Sequence, residues 1–71
     1  MKVNYYPETD TLYIDLSEQA SVESEEISDG IVFDYDAAGN VVGLEIDNAS
    51  KKVQLDRLEV SNVPGPVVRI G

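Results

Sequence analysis

One run of sixteen residues, IVFDYDAAGNVVGLEI from Ile31 to Ile46, limits what this chain can fold into more than any other segment. Ile31, Phe33 and Tyr35 alternate with Val32, Asp34 and Asp36. After DAAGN, Val42, Leu44 and Ile46 alternate with Val41, Gly43 and Glu45. A period of two on both sides of a short Gly/Asn turn specifies a β-hairpin with one buried face. The chain is therefore built around a sheet, and neither a helix bundle nor a disordered tail fits it.

The flanking segments extend that sheet. Residues 2–6 read as a strand, and Pro7-Glu8-Thr9-Asp10 as a turn in which Pro presets φ and Asp bonds nearby amides. Residues 11–16 form its hairpin partner, with Leu12, Ile14 and Leu16 facing the core and Thr11, Tyr13 and Asp15 facing out. Residues 21–28 are a weaker strand. Glu23, Glu25 and Glu26 within it suit a charged edge that resists unwanted pairing. Asp29-Gly30 is the next turn. Asn48 or Ser50 is placed to cap a helix of two to three turns, with Ala49, Val53 and Leu58 docking on the sheet. Val53/Leu55 and Leu58/Val60 also alternate, which fits strand instead. The tail breaks at Pro64-Gly65-Pro66, and its VVRI end is β-prone, so residues 61–71 are a candidate extra edge strand. The expected fold is α+β: one domain over residues 1–71, a small antiparallel sheet of four or five strands with one short C-terminal helix. An all-β meander is the alternative.

Size and composition narrow the function classes. A chain this short buries only about 60% of its unfolded surface, so association is a common way to add burial. A hydrophobic fraction of 42% suits a folded core. Cys and His are both absent. Their absence removes disulfides, zinc–thiolate sites, thiol nucleophiles and the usual general base. Without an apolar leader-like segment or a membrane-length apolar run, a cytoplasmic protein is expected.

The net charge is −9, and it is uneven: residues 1–47 carry −11 and residues 48–71 carry +2. So acidic a sheet repels phosphate backbones and anionic membranes, and neither direct nucleic-acid binding nor membrane binding is expected. It steers toward a small basic protein partner, and it also serves solubility.

No constellation for catalysis, cofactor or metal emerges. Asp34, Asp36, Gly39 and Glu45 occupy positions 1, 3, 6 and 12 of the calcium-loop pattern. Position 5 is Ala38 and the flanks are strands rather than helices, so a hairpin turn is the better account. Glu45, between Leu44 and Ile46, is expected to be a solvated cross-strand partner of Asp34 or Tyr35. Tyr5, Tyr6, Tyr13 and Tyr35 supply most of the amphipathic surface. Tyr6 and Tyr13, pointing away from the Leu12/Ile14 face, are candidate partner-binding residues together with Glu23, Glu25 and Glu26. The first function reading is a non-enzymatic protein-binding module. The alternative is a self-associating structural or small-ligand-binding oligomer, such as a homodimer.

A set of motifs adds to this reading. Pro7-Glu8, Leu12-Tyr13-Ile14, Glu25-Glu26-Ile27, Asp34-Tyr35-Asp36, Gly39, Val42-Gly43-Leu44-Glu45-Ile46 and Ala49-Ser50 resemble, in order, the pattern of the YuzE-like family of short bacterial and archaeal proteins of unknown function. The match spans about residues 3–52, and Tyr6 departs from the family's usual Asp. The resemblance implies no activity. Because such genes often lie beside small genes resembling RelE-like ribonuclease toxins, it implies an antitoxin-like role.

Overall fold

The alternating segments are strands in the computed structural model, which describes residues 1–65. They are β1 (Lys2–Tyr6), β2 (Thr11–Asp15), β3 (Glu23–Ser28), β4 (Ile31–Tyr35) and β5 (Val41–Asp47). All pairings are antiparallel, and the spatial order is β1-β2-β5-β4-β3. β5 therefore sits at the centre, where it has the most apolar face to bury. Val42, Ile46 and the following Ala49 are the buried hydrophobic residues among those described.

Directly opposed residues in antiparallel strands share a face, so the register sorts the side chains. One face carries the row Val3–Ile14–Leu44–Phe33–Glu25 and the row Tyr5–Leu12–Ile46–Ile31–Ser28. The opposite face carries Asn4–Tyr13–Glu45–Val32–Glu26 and Lys2–Asp15–Gly43–Asp34–Ser24. On β1, β2, β4 and β5 the first face has no charged residue.

The turns follow from their residues. Asp36 closes the β4–β5 turn by accepting from the backbone N–H of Ala38 (3.0 Å) and of Asn40 (2.8 Å), while Gly39 takes the φ of 85° that the bend needs. The β3–β4 turn is Asp29-Gly30, and a register shift between Glu26 and Ser28 marks a bulge beside it. The link from β2 to β3 is anchored twice at the same end of the sheet, by Leu16 N–H to Val42 O and by Val22 N–H to Tyr35 O. Between these two bonds it spans the width of the β4–β5 hairpin.

The expected C-terminal helix does not form. Beyond β5 the described residues hold one 3₁₀ turn, Ala49–Lys51, so the molecule is a five-stranded antiparallel sheet rather than an α+β fold. Asn48 sits at φ 52°, a left-handed conformation, and its side chain makes no cap hydrogen bond. A helix that short gains too few bonds to offset nucleation, and the segment closes the end of the sheet instead. Ala49 is fully buried, but Leu58 is 72% exposed and does not dock on the sheet. Residues 61–65 form no strand, and the VVRI end of the expected extra edge strand lies outside the described residues.

Candidate functional site

The charged face holds the most connected polar group. Tyr13, at the middle of β2, reaches across β5 to donate its hydroxyl to Asp34 Oδ2 on β4 at 2.7 Å. Ser24 on β3 donates to the other oxygen, Oδ1, at 2.5 Å. One carboxylate thus joins three strands that are not all neighbours. The reach depends on Gly43. A Cβ there would stand 2.2 Å from the Tyr13 hydroxyl oxygen and 2.9 Å from the ring carbon bearing it. Gly43 is a glycine for space, and the phenol ring lies over the bare backbone it leaves.

The electrostatics follow from this arrangement. The pKa of the Tyr13 hydroxyl is pushed up to about 12, chiefly because its hydrogen bond to Asp34 stabilises the protonated form. Burial and the charges of Asp34, Asp15 and Glu45 add to it. Glu45, directly opposite Tyr13, is raised above the usual carboxylate value by burial, and next by its hydrogen bond with Asp47 and the charges of Asp47 and Asp34. Its cross-strand neighbours are Tyr13 and Val32, not Asp34 or Tyr35 as expected. Asp34 faces Gly43, because the register shifts only beyond it, at Tyr35 and Val41.

Beside this group Tyr6, Thr9, Thr11, Tyr13 and Glu45 line a shallow hollow of about 430 Å³. Its aromatic walls and carboxylate suit a cationic side chain better than an anion. The five residues singled out from sequence do not form one patch. Tyr6 and Tyr13 lie together at this hollow, on β1 and β2. Glu23, Glu25 and Glu26 lie on β3, the far edge strand. Four strand spacings separate that edge from β1, a distance of about 19 Å. Glu26 shares the charged face with Tyr13, in the row Tyr13–Glu45–Val32–Glu26, while Glu25 falls at the rim of the apolar face.

The calcium-like spacing is spent on other bonds. Asp34 accepts from Tyr13 and Ser24, and Asp36 accepts from its own turn, which holds its carboxyl below the ordinary value. Among the described residues no three acidic groups converge as metal ligands would.

A second polar centre, Asp10, was not singled out from sequence beyond its place in a turn. Its Oδ1 accepts from Tyr5 (2.7 Å) and the Ser50 N–H (3.0 Å), and its Oδ2 from the Ser50 hydroxyl (2.6 Å). Its backbone oxygen accepts from Ala49 N–H. These bonds, led by the Ser50 hydroxyl, lower its pKa. Asp10 staples the first hairpin turn to the segment after β5, a structural role. The overlooked signals were Gly43, a glycine inside the most apolar strand, and Asp10 with Ser50, forty residues apart.

A single-layer antiparallel sheet with one apolar and one acidic face, its centre tied by a Tyr–Asp–Ser group, is the class of protein this geometry defines. A family model described as a protein of unknown function, DUF2283, matches residues 2–50, and the chain belongs to that family. The matched span includes all five strands and the 3₁₀ turn as far as Ser50, and so every residue of the Tyr13 and Asp10 centres. No curated protein and no solved structure matches the chain. No helix among the described residues is long and apolar enough to cross a membrane.

Proposed function

We propose that this chain is a non-enzymatic, cytoplasmic protein-binding module that receives a small basic protein along β3. The observation that carries this reading is the character of that strand. It is an edge strand, all six of its residues are exposed, and it bears Glu23, Glu25 and Glu26. An edge strand has backbone groups free to add a further strand. Three carboxylates discourage a second acidic copy and favour a basic segment, so the same residues supply both steering and selectivity. The row running from Glu26 through Glu45 to the Tyr6/Tyr13 hollow extends the acidic surface for the partner's Lys or Arg side chains.

The finer reading is that of a YuzE-like antitoxin occupying the basic surface of a RelE-like toxin. The strand and family motifs favour it, and the acidic surface agrees with it. The test compares the protein as it stands with the triple variant Glu23→Lys, Glu25→Lys, Glu26→Lys, each tagged and used at low salt in extract of the native organism. The expected result is a small basic protein recovered stoichiometrically by the first, released by high salt and missing with the triple variant. Equal recovery by both proteins sinks the β3 assignment.

A further inference from the structure

We infer that the apolar face of the sheet is covered by a second copy of the same chain, face to face about a two-fold axis. This concerns self-association and stands apart from the β3 reading above. It also differs from an oligomer built on the tyrosine face, because the surface involved is the opposite one.

Three observations point to a second copy rather than to another occupant. The first is the surface. The chain exposes 5707 Å². A compact monomer of its mass is expected to expose about 4400 Å², and the exposed run 50–65 accounts for part of the excess. Ile14, Leu44, Phe33, Leu12, Ile46 and Ile31 form the centre of one face, yet only Ile46 of these is buried. The second is area. The molecule is a disc with extents of 31 × 31 × 19 Å. The sheet itself is four strand spacings wide and five to seven residues long, so its apolar face is on the order of 400 Å² in plan, the size of a small, concentration-dependent interface. The third is charge. A chain of −9 pairs with itself only where its acids are out of the way, and this face is free of charge on four strands, with Glu23 and Glu25 at one rim. Asp15, Asp34, Glu45 and Asp47 lie on the other side of the sheet. Face-to-face packing, with the sheets about 10 Å apart, puts them outermost. An apolar centre within a polar rim is the usual anatomy of an interface, and a flat face that matches itself gives a closed pair.

The experiment is analytical ultracentrifugation of the full chain across dilution, with three single variants. Val3 and Asn4 are neighbours on edge strand β1 but face opposite sides, and Val3 is already 39% exposed, so the monomer fold tolerates a change there. The expected result is a species of twice 7.8 kDa for the unaltered chain. Val3→Glu, which buries a charge at the interface, weakens the pairing by about tenfold or more with the circular dichroism unchanged. Asn4→Glu leaves it intact. A chain that stays monomeric at the highest concentration overturns the inference. So does a dimer that Asn4→Glu weakens as much as Val3→Glu. A dimer lost with Leu58→Glu but kept with Val3→Glu also overturns it, by assigning the contact to the C-terminal segment.

Discussion

Tyr13 and Gly43 make sense only as a pair. The phenol crosses one strand to reach Asp34 on the next, and it can do so because position 43 has no side chain. Gly43→Ala should displace the ring and break the Tyr13–Asp34 bond, costing on the order of 1–3 kcal/mol in urea unfolding. In a Tyr13→Ala background the same substitution should cost much less. Equal costs in both backgrounds would show that Gly43 matters for another reason. The titration makes a separate statement. Tyr13 is raised from 10.0 to about 12, so the folded state favours its protonated form. That contribution is fully present below about pH 10 and is lost as pH rises from about 10 to about 12. Ultraviolet titration should show the Tyr13 phenolate appearing late, with Tyr5 also delayed by its bond to Asp10, and Asp34→Asn should bring the Tyr13 phenolate alone forward. If Asp34→Asn leaves the titration unmoved, the hydrogen bond is not the cause.

Among the elements, the strands were readable and the C-terminal segment was not. β1, β2, β4 and β5 follow the period of two almost residue by residue, because successive side chains fall on opposite faces of the sheet and only one of those faces is apolar. Glu23, Glu25 and Glu26 betrayed an edge for a similarly local reason: three carboxylates are tolerated only where water reaches them. Asn48-Ala49-Ser50 misled, since cap-like residues describe a helix start only if a helix has something to pack on. Here Asn48 turns left-handed while Ser50 bonds to Asp10. The pairing of β2 with β5 is equally silent in the sequence, and with it the Tyr13–Asp34–Ser24 group, whose members are brought together by sheet order alone. The acidic edge has its own expected outcome. Replacing Glu23, Glu25 and Glu26 with Thr keeps β propensity but removes the charge, and should make the chain aggregate through β3 on standing. Light scattering would report it, and a clear solution would mean that the bulge near Ile27 protects the edge by itself.

For the whole molecule, a single layer with few buried hydrophobic residues among those described has little core of its own, and the pairing inferred above would add to it. If folding and pairing are linked, the urea midpoint should rise with protein concentration, as mass action requires. A midpoint that does not move would separate the two processes.

The route of the link between β2 and β3 has a consequence for the chain as a string. Residues 1–16 and 22–52 are two pieces that meet along the β2–β5 seam and at the Asp10 staple, and the segment between them forms no strand. A nick at Glu18 or Gln19 therefore severs no ladder. Supplied as separate peptides, the first hairpin and the remaining three strands should reassemble by adding one hairpin to the exposed side of β5. In that sense the fold divides into a hairpin and a three-stranded half, joined by one connection and one seam.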